Sequence, residues 1–118
     1  VMLNLLSNAV RFTPPGGHVR VAASCLPDGR LALSVGDSGI GMSRDDIEQA
    51  LIPFQQVDRN MGRGRDGTGL GLPLAKTLTE LHGARFEIDS TLEAGTTVTI
   101  MMPVERVLNG YRRQVRLV

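Results

Sequence analysis

The sequence predicts an α+β fold, a two-layer sandwich with helices on one face of a mixed, mostly antiparallel sheet. Two amphipathic helical segments and four short alternating segments bounded by turn residues are the observations that predict it. With 118 residues and 42% hydrophobic content, the chain is large enough for one core and too small for two. We expect a single domain over residues 1–104 and a basic tail over residues 105–118.

The first helix is predicted at the very start of the chain. Five apolar residues recur there at helical spacing: Met2, Leu5, Leu6, Ala9 and Val10. The Pro-Pro-Gly-Gly run at residues 14–17 ends this helix. Because no N-cap residue precedes the apolar pattern, we expect the chain to be a fragment of a longer protein.

A β-hairpin is predicted after the first helix. Residues 18–22 alternate between apolar and polar, residues 30–35 resume the alternation, and a Pro-Asp-Gly turn joins the two segments. Ser43 is followed three residues later by Asp46, which predicts a capping box. A short helix should therefore begin there, and it should end before Pro53.

A second long helix and two more strands complete the predicted fold. Helical spacing relates Leu70, Leu74, Leu78, Leu81 and His82. Pro73 is tolerated in the first turn of this helix, and Gly83 marks its C-terminal end. The strands are predicted over residues 85–90 and 96–102, on either side of a turn at Glu93-Ala94-Gly95. The polar residues 55–66, which precede the helix, have no apolar period and predict a mobile loop.

Composition excludes several classes of partner and site. A formal net charge of +1 with 21% charged residues gives no reason to expect nucleic acid or a membrane surface as partner. No apolar run approaches the roughly 20 residues that a membrane span requires. The single cysteine, Cys25, excludes an internal disulfide and a multi-cysteine metal site, and we expect it to be a buried residue on a strand. We therefore expect a soluble domain whose partners must be inferred from its sites.

Two glycine clusters of different design are the strongest functional signal. The first, Asp-Ser-Gly-Ile-Gly-Met over residues 37–42, places a carboxylate beside two residues that lack a Cβ. A flat ligand could approach that backbone while Asp37 accepts a hydrogen bond, for example from the exocyclic amine of adenine. The second, Gly-Thr-Gly-Leu-Gly-Leu over residues 67–72, opens a helix, where unpaired N–H groups favour phosphate. Together they predict a nucleotide pocket.

Each cluster alone would be weak support for that pocket. Asp-Ser-Gly also forms ordinary turns. The second cluster is not the dinucleotide fingerprint, because no strand runs directly into it, and it lacks the Gly-Lys-Ser/Thr ending of a P-loop. The prediction therefore depends on the two clusters occurring in one small domain.

A polar stripe on the first helix adds a third element. Asn4, Asn8 and Arg11 are spaced four and three residues apart, so they share one face. An asparagine carbonyl is a hard oxygen ligand that suits Mg²⁺, and an arginine one turn further on can meet a phosphate. The alternative is a solvent-exposed helix face. The two glycine clusters favour a ligand-binding role.

Four motifs in this order resemble the N, G1, F and G2 boxes of sensor histidine kinase catalytic domains. The motifs are Asn-Leu-Leu-Ser-Asn-Ala-Val-Arg over residues 4–11, Asp-x-Gly-x-Gly from Asp37, Pro-Phe-x-Gln from Pro53, and the cluster at residues 67–72. The likeness runs from Val1 to about Pro103. It implies the Bergerat-type ATP-binding sandwich shared with the gyrase, chaperone and mismatch-repair ATPases.

The resemblance also implies roles for individual residues. Asn8 would ligate Mg²⁺ with support from Asn4, Arg11 would face phosphate, and Asp37 would hold adenine. Further nucleotide contacts would come from Gly39, Gly41, Phe54 in the lid, Gly67, Thr68, Gly69, Leu70 and Gly71. The family more often has lysine where Arg11 stands, so the charge is kept while the geometry of the phosphate contact changes.

One position separates the branches of that superfamily. Its ATP-hydrolysing members have a glutamate four residues before the metal-binding asparagine, and this chain has Asn4 there. An amide cannot take a proton from water, so we expect slow hydrolysis and transfer of the γ-phosphoryl group to another nucleophile. We therefore expect the catalytic domain of a histidine kinase rather than an ATP-hydrolysing machine. The alternative to a kinase domain is a degenerate nucleotide-sensing or docking module without phosphotransfer.

The resemblance places the phosphoacceptor outside this chain. His18 follows Gly-Gly on a strand and His82 precedes Gly83 at a helix end, so neither resembles the acceptor histidine of the family. The implied partners are an upstream dimerisation domain and, indirectly, a response regulator. The implied parent protein is a homodimer with this domain in the cytoplasm. Because the first strand of the family domain is missing, we also expect an exposed sheet edge.

Overall fold

The computed structural model describes residues 1–53 and 71–107, which contain three α-helices and four strands. In chain order these are α1 (Met2–Phe12), β1 (Val19–Cys25), β2 (Leu31–Asp37), α2 (Arg44–Ala50), α3 (Gly71–Leu81), β3 (Arg85–Thr91) and β4 (Gly95–Met102). A single 3-10 turn, Val104–Arg106, follows. The predicted loop over residues 55–66 and most of the predicted tail lie outside the described residues.

The four strands form one sheet in the order β1-β2-β4-β3, and all neighbours in it are antiparallel. Both hairpins, β1–β2 and β3–β4, are the ones that the sequence predicts. The register aligns Val21 with Val35, Val35 with Val98, and Val98 with Ile88. Since directly opposed residues share a face, these four side chains form one apolar row across the sheet.

The core lies between this face of the sheet and the helices α1 and α3. Leu5 and Ala9 of α1, Ala75 of α3, and Val98 and Ile100 of β4 are all at most 5% exposed. Burial of a side chain such as Leu5 contributes about 1.5–3 kcal/mol. The α+β class and the placement of helices on one face are therefore confirmed.

The helix α3 turns a different face to the core from the one its leucines predict. Leu74 is 45% exposed and Leu81 is 75% exposed, whereas Ala75 and Thr79 are buried. Ala75 of α3 belongs to the same buried cluster as Leu5 and Ala9 of α1. Small residues such as alanine allow two helix backbones to approach closely. Thr79 tolerates burial because its hydroxyl donates to the Ala75 carbonyl at 2.7 Å. The leucine periodicity was therefore a misleading guide to the core.

The burial predicted for Cys25 is wrong, and one residue of the apolar pattern in α1 is exposed. Val10 of α1 is 65% exposed, because the buried face of that helix passes through Leu5 and Ala9. Cys25 is exposed, because all seven residues of β1 are exposed. Among the described strands β1 pairs with β2 alone, so it is an edge strand of the described sheet.

The helix ends follow their sequence signals. Ser43 caps α2 through a complete capping box: its hydroxyl accepts from Asp46 N at 3.1 Å, and the Asp46 carboxylate accepts from Ser43 N at 3.1 Å. Gly83 follows α3 with a φ of +75°, the left-handed conformation usual after a helix. None of the helices in residues 1–53 and 71–107 is long and apolar enough to cross a membrane.

Candidate functional site

The polar stripe of α1 has the geometry expected from its spacing. Asn4, Asn8 and Arg11 are all half-buried, at the boundary between the core and the surface. The Arg11 guanidinium donates to Asn8 Oδ1 at 3.5 Å, which is a long and weak hydrogen bond. A stronger acceptor, such as a phosphate oxygen, could therefore draw Arg11 away at little cost.

Asn8 also lies directly against the start of α3. A Cβ added to Gly71, the first residue of that helix, would be 3.1 Å from Asn8 Oδ1 and 3.2 Å from Asn8 Nδ2. The absence of a side chain at Gly71 therefore lets the asparagine amide approach the first turn of α3. The first turn of a helix generally has N–H groups without intrahelical partners and lies at the positive end of the helix dipole. The Asn8 amide oxygen is thus adjacent to the N-terminal end of α3.

Five of the predicted site residues lie outside the described residues. They are Phe54, Gly67, Thr68, Gly69 and Leu70. Their roles stay predictions. Of the second glycine cluster, the structure describes Gly71 and Leu72.

Asp37 ends β2 and orders the first glycine cluster. Its Oδ1 accepts from Gly39 N at 2.8 Å and from Thr96 N at 3.3 Å. Its Oδ2 has no hydrogen-bond partner among residues 1–53 and 71–107, and the residue is half-buried. One oxygen of the carboxylate is therefore used to fix the loop, and the other is left to accept a hydrogen bond from a ligand.

The glycines of the first cluster have a packing role that the sequence does not predict. A Cβ at Gly39 would overlap the carbonyl oxygen of Phe12, and a Cβ at Gly41 would overlap that of Thr91. Gly41 also has a φ of +70°. Both residues are buried against protein backbone, so their lack of a Cβ admits neighbouring chain segments to the loop. The nucleotide contacts expected of Gly39 and Gly41 stay predictions.

The loop over residues 37–42 is held at both of its flanks by backbone hydrogen bonds. Ile40 N donates to the Phe12 carbonyl at the end of α1 at 3.3 Å. Ser38 N donates to the His18 carbonyl at 3.0 Å, and the Ser38 hydroxyl accepts from His18 N at 2.7 Å. These contacts give His18 a structural role and fix the carboxylate of Asp37 relative to α1.

Sequence reasoning missed the contribution of the β3–β4 turn to this site. Glu93 N donates to the Ile40 carbonyl at 2.6 Å, and Met42 N donates to the Ser90 hydroxyl at 2.7 Å. Gly95 has a φ of +117°, and a Cβ there would overlap the carbonyl oxygen of Asp37. Pattern analysis identifies residues 93–95 as a turn, but contact with a loop more than 50 residues away leaves no local signal.

The opposite end of the sheet carries an open cavity of about 510 Å³. Its lining is Arg30, Glu80, Gly83, Ala84, Arg85, Phe86, Met101 and Pro103, none of which is a predicted site residue. Nearby, the exposed Asp28 carboxylate accepts two hydrogen bonds from Arg30, one from its backbone N at 3.0 Å and one from its guanidinium at 2.8 Å. These hydrogen bonds lower the pKa of the Asp28 carboxyl. The candidate functional site therefore consists of α1, the loop 37–42 and the start of α3, and it does not include this cavity.

Comparison with known proteins gives the class of this domain. The family model described as histidine kinase-, DNA gyrase B-, and HSP90-like ATPase matches residues 1–106. The chain therefore belongs to this family.

The most informative curated relatives are histidine kinases. The chain is 50% identical over 116 residues to the cell-division control histidine kinase PdhS of Brucella canis, and 51% identical over 116 residues to PdhS of Brucella anthropi. Each match covers 92% of this chain and 11% of the relative. The chain thus spans about a tenth of the length of these proteins.

Solved structures share the fold of this chain. Full-length ShkA in complex with AMPPNP matches with a TM-score of 0.71 and 31% identity over 86% of this chain and 20% of ShkA. The mycobacterial sensor histidine kinase MprB matches with a TM-score of 0.69 and 30% identity over 86% of this chain and 66% of the MprB chain. The resemblance to the family, including the sandwich fold, is confirmed.

Proposed function

We propose that this chain is the ATP-binding catalytic domain of a two-component sensor histidine kinase. It binds Mg²⁺-ATP and donates the γ-phosphoryl group to a histidine on a separate dimerisation domain. The observation that carries the proposal is the contact between the Asn8 amide and the first turn of α3 at Gly71. The contact supports the proposal because an amide oxygen can bind Mg²⁺ and a helix N-terminus favours phosphate, so the two groups together suit the phosphates of a metal-bound nucleotide.

The adenine end of the pocket is assigned to Asp37. Its Oδ1 is engaged by Gly39 N and Thr96 N, so the carboxylate cannot rotate freely. Its Oδ2, which has no partner in the described part of the chain, accepts a hydrogen bond from the exocyclic amine of adenine. A guanine base presents a carbonyl oxygen at that position, which an ionised carboxylate would repel. The site should therefore prefer adenine nucleotides.

The phosphate end fits a magnesium ion held partly by the substrate. Asn8 supplies a hard oxygen, and no group of three or more His, Cys, Asp or Glu side chains able to hold a metal occurs in the described part of the chain. Mg²⁺ typically binds few protein oxygens and completes its shell with phosphates and water. When bound, it neutralises phosphate charge. Arg11 adds a positive charge one turn from Asn8.

Asn4 favours phosphoryl transfer over hydrolysis. It lies one turn before Asn8 on the same half-buried face of α1. Because its side chain is an amide, it cannot act as a general base on water. Positioning and charge neutralisation would then account for catalysis, with the nucleophile provided by another domain. PdhS and MprB, which are named as histidine kinases, support this branch of the family.

The acceptor histidine and the response regulator are partners of the parent protein. Neither His18 nor His82 has the position expected of the acceptor histidine. The backbone of His18 forms hydrogen bonds with Ser38, and His82 is exposed at the end of α3. We infer a homodimeric parent in which this domain is cytoplasmic.

The test is calorimetric titration of the complete protein with AMPPNP and Mg²⁺, beside the variant Asp37→Asn. Asparagine keeps an oxygen that can accept from Gly39 N and Thr96 N, but it replaces the other acceptor with an NH₂ donor that opposes the adenine amine. We expect affinity to fall about tenfold to a hundredfold, as for loss of a hydrogen bond to a charged group.

Asp28→Asn is the matched control, because Asp28 is an exposed carboxylate at the opposite end of the sheet. It should bind as the unsubstituted protein does. Equal affinity of the Asp37 variant and the unsubstituted protein, or no binding by the folded complete protein, would refute the proposal.

A further inference from the structure

The hydroxyl of Ser90 is the centre of a small polar cluster beside the loop 37–42. It accepts from Met42 N at 2.7 Å, lies 3.1 Å from the Gly95 carbonyl oxygen, and lies 2.6 Å from Thr96 Oγ1. A hydroxyl has one hydrogen to donate and two lone pairs. Ser90 therefore donates to Gly95 and accepts from both Met42 and Thr96, which uses its full hydrogen-bonding capacity.

The position of Ser90 in the sheet is unusual for its residue type. Phe86, Ile88 and Ser90 alternate on the core-facing side of β3, so an apolar residue is the simplest choice at position 90. In the register of the sheet, Ser90 is opposite Thr96, and Thr96 is opposite Asp37. A polar row thus crosses three strands at the end of the apolar core and ends at the carboxylate.

The cluster connects both sides of the adenine end of the pocket. Met42 is the last residue of the loop that Asp37 begins, and Ser90 holds its backbone N–H. Thr96 contacts Ser90 through its hydroxyl and Asp37 through its backbone N–H, at 2.6 Å and 3.3 Å. A displacement of the Ser90 hydroxyl would therefore affect the far end of the loop and one of the two bonds that orient Asp37.

We propose that Ser90 is a positioning residue for adenine recognition: its hydroxyl holds the loop 37–42 against the start of β4, so that Asp37 Oδ2 faces the base. This inference rests on the proposed function, because it requires that Asp37 accept a hydrogen bond from adenine. Ser90 does not itself contact the nucleotide in this account.

Removal of the hydroxyl should weaken nucleotide binding. In Ser90→Ala the Met42 N–H and the Gly95 carbonyl lose a partner, and the loop is free to shift. We expect the Kd for AMPPNP in the presence of Mg²⁺ to rise about fivefold to tenfold, equivalent to one or two hydrogen bonds. Ser90→Cys, which keeps a side chain of similar shape but bonds weakly, should behave similarly.

Two substitutions serve as controls in the complete protein. Ser90→Thr restores the hydroxyl on a residue that suits a strand, so its Kd should lie within about twofold of the unsubstituted protein. Ser34→Ala removes a half-buried serine from the other face of β2, where the register places it opposite Ala22 and Thr99. It should also leave the Kd unchanged.

Kinetics separate positioning from a general loss of structure. If Ser90 orients the adenine site, Ser90→Ala should raise the KM for ATP in autophosphorylation with little change in kcat, and should reduce the preference for ATP over GTP. A variant that only unfolds in part would lose kcat at constant KM, because fewer molecules are active.

The outcomes are distinguishable. If the unsubstituted protein binds AMPPNP and Ser90→Ala binds it with the same Kd, this inference alone is overturned. A loss of kcat at constant KM in Ser90→Ala would also overturn it. Absence of nucleotide binding by the unsubstituted protein would overturn the proposed function and this inference with it. If Ser90→Ala raises the KM and Ser90→Thr has the KM of the unsubstituted protein, the positioning role is established.

Discussion

At the scale of single residues, the site depends on contacts that leave one atom of a side chain free. Within residues 1–53 and 71–107, Asp37 uses Oδ1 to accept from the backbone of its own loop and of β4, and its Oδ2 accepts no hydrogen bond. Over the same residues, the Asn8 oxygen accepts only the 3.5 Å hydrogen bond from Arg11. Such partly used groups suit a ligand, because its binding need not break strong internal hydrogen bonds. The sequence identifies both residues, but only the structure shows which atoms are available.

Gly71→Ala tests the contact between Asn8 and α3. The new Cβ would lie 3.1 Å from Asn8 Oδ1, which is closer than ordinary van der Waals contact, so the amide must move. Because alanine is the better helix former, stability should change by less than about 1 kcal/mol. We expect the Mg²⁺-dependent affinity for AMPPNP to fall by about an order of magnitude when measured by calorimetry.

A matched control for that substitution is Lys76→Ala, on the exposed side of the same helix. Lys76 makes a surface ion pair with Glu80 at 2.8 Å, which contributes little to stability. Its variant should bind normally. If Gly71→Ala bound nucleotide as well as Lys76→Ala does, Asn8 could not be the metal ligand.

At the scale of elements, the β3–β4 turn is a structural support for the loop 37–42. Local patterns predict this turn, because Glu93, Ala94 and Gly95 separate two strand-like segments. They do not predict that Gly95 lies against the Asp37 carbonyl. That contact arises from the antiparallel pairing of β2 with β4, which brings together segments distant in sequence. For the same reason, no local pattern identifies Ser90.

Gly95→Ala should destabilise the fold by about 2–4 kcal/mol in urea denaturation, because it adds a Cβ at a φ of +117° and against the Asp37 carbonyl. Gly83→Ala is the control for backbone conformation alone: its φ is +75°, and a Cβ there meets nothing within 4 Å. We expect it to cost about 1–2 kcal/mol. Equal losses in the two variants would show that the close packing of the turn on Asp37 is unimportant.

At the scale of the whole molecule, the order of elements and the fold class follow from the sequence, and the buried faces follow only in part. Periodicity in α1 correctly marks Leu5 and Ala9 as core, whereas the leucines of α3 mislead, because Ala75 and Thr79 pack inward. Cys25 is exposed because it lies on the edge strand β1. Val10 is exposed because it lies beside, and not on, the buried face of α1. Burial depends on which elements become neighbours, and local patterns do not contain that information.

The decisive experiment follows the γ-phosphate of labelled Mg²⁺-ATP in the complete protein. We expect the label to accumulate on the protein in an acid-labile, base-stable form typical of phosphohistidine, faster than free phosphate is released. We also expect Asn8→Ala to abolish the labelling. Rapid release of free phosphate without labelled protein, or labelling that persists in Asn8→Ala, would contradict the assignment of this chain as a phosphoryl-donating domain.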